Sequence, residues 1–187
     1  MATRFERQLE ELHVQMITMG SLCEKAISFS SKAIQGEGLS FAKEVFDTDR
    51  EIDEKEREIE TLCMRLLLHQ QPVAGDLREI SAALKMISDM ERIGDQAADI
   101  ADLSQFVDVK KVDSSVDITE MAENTVRMVT ESVDAFVKAD LNLCRKVIDD
   151  DDLVDNAFNQ IKERLVDLIY EKKIDPKAGL VLLMTAK

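Results

Sequence analysis

The sequence predicts an all-α protein built as two tandem three-helix bundles, and three observations carry that prediction. Apolar residues recur at helical steps through six segments. Only six glycines and two prolines interrupt 187 residues, which leaves long uninterrupted runs. The second half of the chain then repeats the plan of the first. Aromatic residues make up 4% of the chain, so Leu, Ile, Val, Met and Ala must fill the core, which suits helix-on-helix packing.

The first helix is marked by Phe5, Leu9, Leu12, Met16, Met19, Cys23 and Ala26, spaced by four and three residues and continuing to Ala33. It stops at Gln35-Gly36-Glu37-Gly38, where two glycines supply a C-cap and a turn. The second repeats every seven residues at Val45, Ile52, Ile59 and Leu66 and ends at Gln70-Gln71-Pro72. Pro72 restricts the residue before it and suits the start of the third helix, which runs through Leu77, Ile80, Leu84 and Ile87 to Leu103. A fourth helix is expected from about Ile118 to Lys138, with apolar residues on both packing faces, and Ala139-Asp140 takes the place of the glycine turn. A fifth repeats at Val147, Val154, Ile161 and Leu168, and Pro176 opens a sixth. The predicted boundaries are a first repeat over 1–105, a polar, β-branched linker over 106–117 and a second repeat over 118–187.

The repeat can be checked by hand. Leu39 to Asp53 aligns without gaps on Leu141 to Asp155, so that Val45 meets Val147, Asp47 meets Asp149, Asp49 meets Asp151 and Asp53 meets Asp155. After two extra residues, Pro72-Val73-Ala74-Gly75 meets Pro176-Lys177-Ala178-Gly179. Long helices joined by short turns lie antiparallel to their neighbours. Two three-helix bundles follow from a duplicated unit.

Composition excludes several functions. A net charge of −14 repels nucleic acid and anionic lipid head groups and favours metal cations or a basic protein surface. Cys23, Cys63 and Cys144 are odd in number and far apart, so three reduced thiols in a cytosolic core are expected. Arg4, Glu6 and Arg7 interrupt any apolar opening run, and no window reaches the roughly 18 apolar residues of a membrane span. A cytoplasmic location without direct membrane insertion is the expectation.

The acidic residues are concentrated. The first helix carries four acidic and four basic residues, the second nine against five, the third seven against three. In the second, Asp49, Asp53, Glu56 and Glu60 step by four, three and four, and Glu91, Asp95, Asp99 and Asp102 stripe the third. Asp49 and Glu56 also border the apolar seam. Such stripes usually form a solvated face with scattered salt bridges. On adjacent helices, however, they can supply several oxygen ligands to a hard or borderline cation. Asp151 and Asp155 repeat the spacing of Asp49 and Asp53 within the run Asp149 to Asp152, which suggests a second, weaker site or another solvated face.

The string Glu91-Arg92-Ile93-Gly94-Asp95-Gln96-Ala97, following Asp76 to Met90, resembles the signature third helix of the PhoU family. The opening Phe5, Leu9, Leu12, Met16 and Met19-Gly20 and the Asp49/Asp53 spacing are similar to the same family, so the resemblance covers essentially the whole chain. It implies a pseudo-symmetric pair of three-helix bundles. It also implies a cytoplasmic regulator, dimeric and peripheral to the inner face of the membrane through its partners. Those partners would be the ATPase subunit of the phosphate ABC transporter and the histidine kinase that senses phosphate starvation, with uptake and signalling dampened when phosphate is plentiful. Multinuclear iron, or another divalent metal such as Zn, Mn or Mg, is implied through carboxylate motifs, one set per repeat. The first set falls on Asp49, Asp53, Glu91, Asp95 and Asp99; in the second only Asp151 and Asp155 are available. The family's sixth helix should carry a second such string, so the resemblance implies a sixth helix truncated at Lys187. A native protein that continues is the expectation, with the apolar faces of the fourth and fifth helices exposed in this shorter bundle.

Two rivals are weaker. A ferritin-like di-metal enzyme needs Glu-x-x-His on two helices, and Glu10 to His13 is the sole match. His13 is better read as a surface or boundary residue, nothing flanks the cysteines to activate them, and the chain is not expected to be an enzyme. A structural adaptor docking a basic partner on its acidic faces differs from the regulator in needing no metal. No glycine-rich loop cradles phosphate, so sensing through partner proteins is expected.

Overall fold

The apolar periodicity becomes a set of buried stripes. The computed structural model describes residues 4–36, 39–69, 73–107, 116 and 118–187. Its helices are α1 (Arg4–Ile34), α2 (Leu39–His69), α3 (Ala74–Leu103), α4 (Thr119–Lys138), α5 (Leu141–Tyr170) and α6 (Pro176–Ala186), with a 3-10 turn over Ser104–Phe106. Among the described residues there are no strands. Glu37-Gly38, Gln70-Gln71-Pro72 and most of the expected linker (108–115 and 117) lie outside the described residues.

Local chemistry ends the helices where the sequence suggests. Gly36 takes φ 72° after α1, a left-handed conformation that costs glycine no side-chain clash. The Val73 N–H donates to Asp76 Oδ2 at 3.0 Å, satisfying one of the free donors at the start of α3. Between α4 and α5 the left-handed residue is Ala139, φ 50°, and Asp140 caps α5 by accepting from the Asn142 and Leu143 N–H groups. Asp175 caps α6 in the same way, with Pro176 in its first turn, where a missing N–H costs nothing.

The principal core is filled by Leu12, Met16, Met19 and Cys23 of α1, Val45, Ile52, Ile59 and Leu66 of α2, and Ile80, Ala83 and Ile87 of α3. Each large aliphatic group withdrawn from water here contributes about 1.5–3 kcal/mol. Val129 and Val133 of α4 belong to the same core, and Phe136 and Val137 pack against it. α4 therefore sits on α1, and the contact is close: a Cβ placed at Gly20 would stand 3.1 Å from Val133 Cγ2. The two apolar faces read in the fourth helix are spent on α1 and on α5. The two bundles are thus joined through packed side chains.

The second core is smaller: Val116, Ile161, Leu165, Leu168, Leu182 and Ala186. α6 has 11 residues against 30 in α3. An open groove of about 380 Å³ lies between α3, α4 and α5, lined by Met86, Met90, Met128 and Val154 among others. Ile148 is 72% exposed on α5 nearby. Among the described residues no helix is long and apolar enough to cross a membrane.

Candidate metal centre on the seam of two helices

α2 and α3 pack side by side through Ile52, Ile59, Ala83, Ile87 and Met90, and the acidic stripes run along the border of that seam. The helices come close at Gly94, where a Cβ would stand 2.8 Å from Asp49 Oδ1 and 3.1 Å from Ile52 Cδ1. Among the described residues, Asp49 Oδ1 is the buried side-chain oxygen or nitrogen that has no hydrogen-bond partner. Native interiors rarely leave such an atom unsatisfied.

Electrostatics show that the stripes face one another. Burial first, then the charges of Asp53, Asp95 and Asp99, push the Asp49 carboxyl above its ordinary range, with Arg50 opposing. Glu91 is raised by partial burial and then by Asp95, Glu56, Asp53 and Asp49. Residues of α2 thus bear on a residue of α3, and the reverse. The nearby cations turn outward: Arg57 pairs with Asp53 at 3.4 Å and Arg92 with Asp89 at 4.0 Å, each arginine 69% exposed. They leave the inner edge of the cluster negative.

The expected first set is therefore brought together as two facing stripes. Asp49, Asp53 and Glu91 are partly buried, and Asp95 and Asp99 are exposed at the edge. Among the described residues, no three acidic, histidine or cysteine side chains converge on one point closely enough to hold an ion. The donor chemistry nonetheless fits a hard or borderline cation: every donor is a carboxylate oxygen, and one of them, Asp49 Oδ1, is buried against Gly94 without a hydrogen-bond partner.

The second set is not brought together in this way. Asp151 lines the groove with Asp89, and Asp155 is exposed on the outside of α5. Asp150, beside them, accepts from Lys146 at 2.8 Å and lies 3.9 Å from Arg127, and the Lys146 hydrogen bond is the main cause of its lowered pKa. The acidic run is divided between an ion-paired face and a groove.

His13 proves to be a boundary residue: its Nε2 lies 2.5 Å from Glu79 Oε1 and its ring meets Phe136 edge-on at 6.0 Å. Burial pushes the Cys23 thiol up to about 12 and the Cys63 thiol to about 11, the opposite of an activated nucleophile. Two further residues lie at this seam. Glu56, already counted in the α2 stripe, acts directly on Glu91. Gly94 gave a signal in the sequence, a glycine in mid-helix between two acids of one stripe.

The family model described as the PhoU domain matches residues 16–104 and 118–187. A phosphate-specific transport system accessory protein PhoU homolog of Aquifex aeolicus is 35% identical over 97% of this chain and 82% of its own. One of Clostridium acetobutylicum is 36% identical over 90% of this chain and 78% of its own. The crystal structure of PhoU from Pseudomonas aeruginosa superposes with a TM-score of 0.89 at 28% identity, over 98% of this chain and 88% of that one.

Proposed function

The chain belongs to the PhoU family, and from that premise we propose that it regulates phosphate uptake and phosphate-starvation signalling as a negative regulator. The observation that carries this is the family match across both repeats, together with near-complete coverage by relatives named as accessory proteins of the phosphate-specific transport system. Membership sets the chain among accessory proteins, not enzymes.

The proposed partners are the ATPase subunit of the phosphate ABC transporter and the phosphate-sensing histidine kinase, met in the cytoplasm by a homodimer. The excess negative charge on α2 and α3 supports docking to basic protein surfaces. Pull-down with each purified partner tests it: capture is expected, with loss on reversing the charges of Glu91, Asp95 and Asp99. Deleting the gene should raise a phosphate-starvation reporter in phosphate-rich medium, and an unchanged reporter would refute negative regulation. Light scattering on the purified chain reads the dimer.

In the same reading, Asp49, Asp53, Glu91, Asp95 and Asp99 hold iron or another divalent metal (Zn, Mn or Mg), and Asp151 and Asp155 hold a cation more weakly. A bound cation would offset the mutual repulsion of the two stripes and hold α2 against α3. Asp49 contributes its buried oxygen, Glu91 answers from the facing helix, and Asp53, Asp95 and Asp99 supply the outer donors. Elemental analysis of protein purified without chelator, with thermal shifts on adding Fe, Zn or Mn, decides this. No metal and no shift would leave an adaptor that docks its partners by charge alone.

A further inference from the structure

Gly94 lies in the interior of α3 in ordinary helical backbone; the glycine with positive φ among the described residues is Gly36. Left-handed geometry therefore does not explain it, and a glycine in mid-helix costs about 0.5–1 kcal/mol relative to alanine. What explains it is space. Four glycines lie within the described helices, and they differ in what a side chain would meet. Gly75 meets nothing within 4 Å, Gly20 meets Val133 and Gly179 meets Ile169, so the last two serve apolar helix packing. At Gly94 the nearest atom is a carboxylate oxygen, Asp49 Oδ1 at 2.8 Å, followed by Ile52 Cδ1 at 3.1 Å.

We infer that Gly94 is a positioning residue for the Asp49 carboxylate, its bare α-carbon opening the recess on α3 in which that group lies with Oδ1 shielded from water. This rests on the cation reading and adds what sets its geometry. An alanine methyl at 2.8 Å is closer than real contacts allow, and the carboxylate, the nearer of the two neighbours, must shift the most. It would swing out of the recess into water, toward Arg50 and away from the stripe of α3. The seam would keep its charges and lose their alignment.

The test uses the full chain and two probes, Mn²⁺ alone and Zn²⁺ alone, in calorimetric titrations, with melting of the chelated protein as a second readout. Gly94→Ala is expected to weaken cation affinity about 10–100-fold, the range for losing a group that orients a ligand, while far-ultraviolet dichroism stays helical. In the Asp49→Asn background the same substitution should cost no further affinity. Because the methyl also crowds Ile52, the comparison is repeated in Ile52→Val, which removes Cδ1 and leaves the carboxylate contact. A loss of affinity that persists there supports positioning of Asp49. If Gly94→Ala binds as tightly as the unsubstituted protein, or if its loss of affinity disappears in Ile52→Val, the glycine serves helix packing and the inference is overturned. If the unsubstituted protein binds neither probe, the cation reading falls and takes this inference with it.

Discussion

Asp49 and Asp53 of the first repeat look across a helix seam at Glu91, Asp95 and Asp99, whereas Asp151 and Asp155, their counterparts in the second, look onto a groove and into solvent. The spacing within α2 and within α5 is the same. What differs is the facing surface: α2 meets the carboxylate stripe of α3, whereas the residues of α6, Pro176–Ala186, include no acid. An Asp-x-x-x-Asp pair on one helix is thus only half of a site, since repulsion, burial and an unsatisfied oxygen arise where a second carboxylate stripe is pressed against it. The cores follow the same division. Ile52 is wholly buried beneath the first acidic seam, while Val154, its counterpart in α5, lines the open groove.

The largest test of this contrast is in the core. Ile52→Ala should destabilise the protein by about 2–5 kcal/mol in urea titration, the range for a filled site that cannot collapse. Val154→Ala should cost well under half as much, and equal losses would erase the distinction between the repeats. Next comes cation-linked stability. If Mn²⁺ binds at the first seam, a hundredfold excess over its dissociation constant adds about 2.7 kcal/mol. Asp49→Asn with Glu91→Gln should abolish that shift in a thermal melt, and Asp151→Asn with Asp155→Asn should leave most of it. A shift that follows the second pair would reverse the assignment.

A smaller effect is expected from pH. Asp49 and Glu91 are raised in the folded protein, so the folded state holds protons more tightly than the unfolded one in the window between their ordinary and raised values. Their contribution to stability is full below the ordinary carboxylate range and is lost as pH rises through the raised values. Chelated protein should therefore gain from these two groups as pH falls from neutral toward that range. The gain should vanish in the Asp49→Asn, Glu91→Gln variant, with melting temperature as the readout. The smallest effect belongs to the second repeat's surface: Lys146→Ala breaks pairs with Glu131 and Asp150 at an exposed site, and its melting temperature should not move measurably.

Much of the fold was legible because its determinants are local. Val45, Ile52, Ile59 and Leu66 fall seven apart and all four are fully buried, and Ala139-Asp140 forms the turn expected of it. The seating of α4 on α1 was not legible, although the apolar residues on both of its faces were. Periodicity says that a face is buried and does not name the surface that covers it. For the site, the stripes could be read from spacing, but their meeting depended on the rotation of α2 against α3. The role of Gly94 lay further out of reach, since a helical glycine looks the same whether its space is filled by valine, isoleucine or a carboxylate.

The crossing of α1 and α4 has a consequence for the history of the molecule. A duplication begins with two copies of one unit. Here Val129 and Val133 of the second copy complete the interior of the first, and Gly20 has no side chain at the place where Val133 enters. Cutting the chain between the copies would leave the first with an uncovered apolar flank and the second without the surface on which its leading helix rests. The two halves are therefore expected to melt in one cooperative transition in scanning calorimetry, and two separate transitions would contradict a shared interior.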